Sequence, residues 1–133
     1  MNDITKSESN DLISMLHRSH NGLSVPIPFE RDIYLFDTYI AGTGYVKDME
    51  TIVAQLAVGD KVQFFREPNN KYDKHAIVIK NTDGKKLGYV PRQDNAVFSR
   101  LMDAGKMLFA KISSKGELRG NWIDIDIQIF LHE

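Results

Sequence analysis

The chain contains no cysteine at any of its 133 positions. Without thiols it cannot form a disulfide framework, use a thiolate nucleophile or build a cysteine-ligated zinc finger. The histidines are few and scattered along the chain: His17, His20, His75 and His132. His17 and His20 have the i, i+3 spacing of a metal-binding pair, but no third histidine lies nearby. We therefore expect a function that needs no metal and no cofactor.

Long apolar runs are also missing. No stretch approaches the roughly 18 residues that a membrane-spanning helix needs. The first eight residues are polar and acidic, unlike a secretory signal. We expect a cytoplasmic protein with no membrane partner. A length of 133 residues with 42% apolar content fits a single domain with one core.

The chain has almost no net charge, but its charges are unevenly distributed. The total is −1, which argues against a protein that coats DNA nonspecifically. Residues 1–60 carry 4 cations and 9 anions, whereas residues 61–92 carry 8 cations and 3 anions, a local net charge of +5. This basic segment favours a small, defined anionic ligand, although the same lysines would also suit the solvent faces of strands.

The apolar pattern divides the chain into an N-terminal arm and a β-rich domain. Residues 1–30 predict a flexible arm with a short helix at 11–18, which is a candidate contact for self-association or for a partner protein. Residues 31–133 form the predicted domain, an α+β, mainly β fold whose short strands curl into a small antiparallel barrel. Six strands are predicted, at 33–41, 61–66, 75–80, 86–90, 106–113 and 121–131. Two helices are predicted, at 47–56 and 92–104.

One strand and one helix have apolar patterns that predict which of their faces pack on the core. The last strand predicts one buried and one solvated face. Ile123, Ile125, Ile127, Ile129 and Leu131 alternate there with Asp124, Asp126, Gln128, Phe130 and His132. In the second helix the predicted apolar face consists of Val97, Phe98, Leu101 and Met102.

The turn between the second and third predicted strands has an unusual composition. Residues 66–75 place Pro68, two asparagines, Tyr72, Asp73 and several cations within ten positions. A hairpin turn requires only two to five residues of the Pro or Asx type. An aromatic ring, a carboxylate and cations on one loop are able to stack a base, hydrogen-bond a sugar hydroxyl and hold a phosphate. The alternative is that the loop is polar only because it faces water.

No enzymatic constellation is evident. Asp124 and Asp126 lie two apart on one strand face and are able to ligate Mg²⁺, but the same pattern is typical of a solvated strand face. A binding module is the better class, since small β-barrels hold single strands by stacking bases on exposed aromatics in a positive groove. The candidate aromatics are Tyr39, Tyr72 and Tyr89, with Arg92 three residues after Tyr89.

Three segments together resemble the HIRAN domain family, in order and in spacing. They are residues 39–42 (YIAG), 66–77 (REPNNKYDKHAI) and 87–92 (LGYVPR), and the resemblance spans about residues 33–131. HIRAN domains occur in DNA-repair translocases and as small stand-alone bacterial proteins. The resemblance implies an OB-like barrel that binds single-stranded DNA.

The resemblance also implies roles for individual residues. Tyr39 and Tyr72 would stack on the terminal bases, Asp73 would accept a hydrogen bond from the 3′-hydroxyl, Asn70 would shape the pocket and Arg92 would contact a phosphate. Two positions depart from the family pattern. Thr38 replaces a basic residue, and Tyr89 stands where relatives carry histidine. The alternatives that remain are a protein-interaction domain that uses the 1–30 arm and a metal hydrolase that uses Asp124 and Asp126.

Overall fold

The computed structural model describes residues 31–133 of the chain, which form six strands, two α-helices and a 3-10 turn. The predicted helix at 11–18 and the His17–His20 pair lie outside these residues. The elements in chain order are β1 (Asp32–Tyr39), a 3-10 helix (Thr43–Tyr45), α1 (Met49–Val53), β2 (Lys61–Arg66), β3 (Ile77–Lys80), β4 (Lys86–Tyr89), α2 (Arg92–Asp103), β5 (Met107–Lys115) and β6 (Ile125–His132).

The six strands form one antiparallel sheet in the order β1-β6-β5-β2-β3-β4. Ile123, just before β6, and Ile125, Ile127 and Ile129 within it are all buried, which confirms the predicted alternation. Their side chains join Val62, Ile79 and Leu87 in one apolar core. The mainly β, antiparallel fold class predicted from the sequence is therefore confirmed, with its two helices.

The two edge strands of the sheet, β1 and β4, meet at one point. Just beyond β1, the backbone of Ala41 exchanges two hydrogen bonds with that of Tyr89, at 2.8 and 2.9 Å. Gly88 permits this approach, because a Cβ there would collide with the Ala41 carbonyl oxygen and would lie 2.7 Å from Ile40 Cγ2. The sheet therefore curls on itself, but its edges are joined at this bridge and not along a full ladder.

Helix α2 packs with most of the predicted apolar face but not with all of it. Phe98 is buried and Leu101 and Met102 pack against the core, but Val97 is 60% exposed, so its assignment to the apolar face was wrong. Asn95 and Ser99 are buried in its place. A polar residue facing inward requires a hydrogen-bond partner, and the turn before β3 supplies one for each of them.

The outer face of the sheet carries an aromatic row. Phe130 stacks on Phe109 with 5.4 Å between ring centroids, and Tyr34 meets Phe130 edge-on at 5.9 Å. The Nζ atoms of Lys61 and Lys111 lie 4.4 and 5.1 Å from the Phe109 and Phe130 centroids, so lysine stems cover this apolar surface. Among residues 31–133, no helix is both long enough and apolar enough to cross a membrane.

Candidate functional site

Asn70 shapes the turn between β2 and β3. Its side-chain oxygen accepts hydrogen bonds from the backbone N–H groups of Tyr72 and Asp73, at 2.9 and 3.2 Å. Its Nδ2 donates to Glu67 Oε1 at 3.0 Å. This is the local side-chain-to-backbone bonding for which asparagine is favoured in turns. Asn70 thus fixes the backbone from which the neighbouring ring and carboxylate project.

The Asp73 carboxylate is held at both oxygens. Oδ1 accepts from the backbone N–H of His75 at 2.9 Å, and Oδ2 accepts from Asn95 Nδ2 at 2.8 Å. Arg92 Nε lies 3.7 Å from Oδ2. The Asn95 hydrogen bond, assisted by the His75 N–H and the Arg92 charge, lowers the pKa of Asp73 below its ordinary value despite partial burial. Asp73 is therefore an ionised acceptor with lone pairs to spare.

Tyr72 and Arg92 lie beside this carboxylate and face solvent. The Tyr72 side chain is 73% exposed, and Arg92 donates from Nη2 to the Tyr72 carbonyl oxygen at 3.1 Å. The Arg92 side chain is itself 72% exposed, so the guanidinium keeps donors available. Lys71 Nζ lies 5.1 Å from the Tyr72 ring centroid. An exposed ring, a fixed anion and exposed cations are thus brought together.

Tyr89 belongs to the same hydrogen-bond network but faces a different neighbour. Its hydroxyl donates to Glu67 Oε1 at 2.8 Å and accepts from Lys86 Nζ at 3.1 Å. Partial burial raises the pKa of Glu67. The hydrogen bonds from Asn70 and Tyr89 and the charges of Lys86 and Lys80 lower it by more, so the pKa lies below its ordinary value. Tyr89 therefore braces the turn through Glu67, with Lys86 at its outer end.

Tyr39 stands apart from the other five predicted residues. In the β1–β6 register it pairs with Asp126, on the outer face of the sheet, and it is 44% exposed. Its neighbour Thr38 faces α2 and donates from Oγ1 to Asp94 Oδ2 at 2.8 Å. Within the described part of the chain, no hydrogen bond or ring contact joins Tyr39 to the turn. The structure thus gathers Asn70, Tyr72, Asp73, Tyr89 and Arg92, with Tyr39 at the adjoining strand end.

Sequence reasoning missed the partners supplied by other elements. Asn95 orders Asp73, Glu67 links Asn70 to Tyr89, and Asp94 ties α2 to Thr38. Asn95, in the first turn of an amphipathic helix, was a usable signal, because asparagine is a poor helix former unless its amide has a partner. Arg66 has a structural role: it forms a salt bridge to Asp103 at 2.8 Å and donates to two carbonyl oxygens of the turn.

The remaining candidates are accounted for by ordinary contacts. His75 Nδ1 lies 3.2 Å from Ser99 Oγ, and Asp126 Oδ2 accepts from Ser114 Oγ at 2.7 Å. Among residues 31–133, no three His, Asp or Glu side chains lie close enough together to hold a metal ion.

Comparison with known proteins gives one family. A family model described as the HIRAN domain matches residues 33–132. A mouse protein named helicase-like transcription factor is 34% identical over 74 residues, which is 56% of this chain. The matched part is only 7% of that relative's length.

Three solved structures share the fold. A crystal structure of a protein from Lactobacillus plantarum matches with a TM-score of 0.72 and 27% identity over 78% of this chain and 98% of that one. The crystal structure of the HIRAN domain of human HLTF matches with a TM-score of 0.59 and 17% identity, over 75% and 78% of the two chains. An NMR structure of the HLTF HIRAN domain in its DNA-bound conformation has a TM-score of 0.52 and 18% identity, over 77% and 80%.

Proposed function

The chain belongs to the HIRAN domain family, and from that premise we propose that it binds single-stranded DNA at a free 3′-hydroxyl end. One member of the family has been solved in a DNA-bound conformation, which supports nucleic acid as the ligand class. The finer claim, recognition of the end, is argued from the geometry around Asp73.

The ionised, preorganised carboxylate of Asp73 is the observation that carries the proposal. Its two oxygens are already oriented by His75 and Asn95, and its side chain remains 18% exposed. A carboxylate accepts up to about four hydrogen bonds, so a hydroxyl donor finds a free lone pair there. A terminal phosphate or a continuing strand would instead bring negative charge against a fixed anion. Asp73 thereby favours a free 3′-hydroxyl.

The neighbours of Asp73 supply the remaining interactions. The exposed Tyr72 ring is a stacking platform for the terminal base, a contact worth roughly 1–3 kcal/mol. Arg92 has free guanidinium donors for the phosphate that precedes the end. Tyr39 is proposed as a second stacking ring, since it is half-exposed and lies two residues before Ala41, whose backbone bonds to that of Tyr89.

The decisive experiment compares two short oligonucleotides that differ only at the 3′ end. Fluorescence anisotropy would measure the affinity for a 5′-labelled strand with a 3′-hydroxyl and for the same strand with a 3′-phosphate. We expect the wild type to prefer the hydroxyl. Asp73→Asn should weaken binding of the 3′-hydroxyl strand by roughly ten- to a hundredfold, because a charge-assisted hydrogen bond is worth about 1.5–3 kcal/mol. It should also reduce the preference for the 3′-hydroxyl strand over the 3′-phosphate strand.

Two further variants and one control complete the test. Tyr72→Ala should abolish measurable binding, and Tyr39→Ala tests the second ring separately. Tyr34→Ala, an exposed tyrosine of the aromatic row, is the matched control. Equal affinity for both 3′ ends would reject end recognition. Absence of binding to any oligonucleotide would reject the nucleic-acid function and favour a protein-interaction domain.

A further inference from the structure

A concave surface lies between α1 and the β3–β4 turn. It is an open groove with a volume of about 550 Å³, lined by polar and basic residues together with Val46 and Ile52. This volume is within the range of roughly 300–1,000 Å³ found for ligand pockets. The lining includes one exposed aromatic ring and three lysines: Tyr45, Lys47, Lys85 and Lys86. Asp48 is the only acidic side chain among the lining residues, so the groove is net positive.

Tyr45 presents an almost bare ring from an ordered backbone. Its side chain is 96% exposed. The backbone on either side is fixed, because Asn121 Nδ2 donates to the carbonyl oxygens of Gly44 and Val46 at 3.0 and 2.8 Å. Thr43, which is fully buried, donates from Oγ1 to the Ile123 carbonyl at 2.8 Å. The backbone that carries the ring is therefore already ordered before a flat partner binds.

The lysines of the groove are available for an anion. Among the residues that the structure describes, the amines of Lys47 and Lys85 make no hydrogen bond or ion pair, and both side chains are exposed. Lys86 lines the groove and also donates to the Tyr89 hydroxyl. Tyr89 in turn bonds to Glu67, which holds Asn70 of the turn. Lys86 and Tyr89 therefore connect the groove to the Tyr72–Asp73 site.

We propose that this groove binds an interior nucleotide of the strand whose 3′ end is held at Asp73, with Tyr45 stacking on the base and Lys47 and Lys85 contacting phosphates. The proposal rests on the function proposed above and extends it from the terminal nucleotides to a longer footprint. The chemistry is that of single-stranded binding in general, a basic track with rings on which successive bases stack.

The test compares a trinucleotide with a decanucleotide, both of thymidine and both with a free 3′-hydroxyl, by isothermal titration calorimetry. In the proposed arrangement the trinucleotide occupies only the end site, whereas the decanucleotide also enters the groove. The variants are Lys47→Gln/Lys85→Gln and Tyr45→Ala. Arg100→Gln/Lys106→Gln removes the same charge from exposed positions of α2 and the segment after it, and Tyr34→Ala removes a ring from the other surface.

In the wild type we expect the decanucleotide to bind more tightly than the trinucleotide. Each groove variant should reduce the ratio of the decanucleotide affinity to the trinucleotide affinity by about tenfold. The double lysine variant should also lower the slope of log K against log salt for the decanucleotide by roughly 1.4, since each single-strand phosphate contact contributes about 0.7. The control variants should leave the ratio near its wild-type value.

The outcomes separate the two proposals. If the decanucleotide and trinucleotide bind equally well while Asp73→Asn weakens both, the end site stands and the groove proposal is overturned. An equal effect of the groove variants and the control variants on the ratio would also overturn it. If Asp73→Asn weakens neither oligonucleotide, the end-binding function itself fails, whatever the groove variants do.

Discussion

Asn95 is the residue on which the Asp73 carboxylate depends most. It is 3% exposed, and its amide provides the largest of the contributions that lower the pKa of Asp73. Asn95→Ala should raise that pKa towards the ordinary value of 3.8 and weaken binding to a 3′-hydroxyl end, because the carboxylate loses both a donor and its fixed orientation. Carbon-13 NMR of the labelled Asp73 carboxyl during a pH titration measures the shift directly.

The matched control for this prediction is Gln93→Ala, an exposed position on the same helix. It should leave the Asp73 titration where it is in the wild type. If the Asp73 pKa were the same in Asn95→Ala as in the wild type, Asn95 would not be the residue that tunes the carboxylate.

The proximity of candidate residues could be predicted where they lie close together along the chain. Asn70, Tyr72 and Asp73 share one turn, so their proximity follows from the sequence alone. Contacts between distant positions were not predictable this way. Thr38 and Asp94 are 56 positions apart, and Asp73 and Asn95 are 22 apart. Such pairs depend on how α2 docks on the strands, which local composition does not encode.

At the level of elements, the junction of β1 and β4 depends on Gly88. A side chain there would collide with Ala41 and Ile40, the residues that bring the sheet edges together. Gly88→Ala should destabilise the protein by about 1–3 kcal/mol, the usual cost of overpacking a close contact. Urea unfolding measures this loss, and hydrogen exchange should show the amides of Ala41 and Tyr89 losing protection first.

Gly116→Ala is the control for that variant. A Cβ at Gly116 would make an ordinary 3.4 Å contact with Asp124 and needs no unusual backbone conformation. Its effect should stay within about 0.5 kcal/mol. Equal destabilisation by both variants would show that Gly88 has no special part in the junction.

Strands were easier to predict than the face of the helix. The period of two in β6 determines which face is buried, because one face is apolar throughout. In α2, Val97 is two positions from Asn95, so the two residues point to nearly opposite sides of the helix. Burying Asn95 and Ser99 for their hydrogen bonds therefore turns Val97 outward. The rotation of α2 satisfies these polar contacts and still keeps Phe98, Leu101 and Met102 against the core, so that only Val97 is left outside.

For the molecule as a whole, the basic segment 61–92 is divided among several surfaces. Lys61 and Lys80 lie over the rings of Phe109 and Phe65, where they cover apolar area. Lys85 and Lys86 line the groove, and Arg92 lies beside Asp73. The sequence shows which segment carries the positive charge. It does not show which of these basic side chains cover the sheet and which are available to a ligand. That division depends on strand register.

The hydrogen bonds and ion pairs around the turn between β2 and β3 make the stability of the protein depend on pH. Glu67, Asp73 and Asp103 all have pKa values below their ordinary ones; for Asp103 the main cause is the hydrogen bond from Arg66. The unfolded chain therefore binds more protons in acid than the folded one, so the free energy of unfolding falls as the pH falls. The contribution is complete above the ordinary values, 4.5 for Glu67 and 3.8 for the aspartates, and is lost as the pH passes down through the lower folded values.

Urea unfolding between pH 6 and pH 3 measures this dependence. The variant Glu67→Gln/Asp73→Asn/Asp103→Asn should give a flatter profile, because the three titrations that differ between the folded and unfolded states are gone. A control triple variant at exposed acids, Asp83→Asn/Glu117→Gln/Asp124→Asn, should keep the wild-type slope. If the two triple variants flattened the profile equally, acid sensitivity would reflect the total number of carboxylates and not the network that orders the turn.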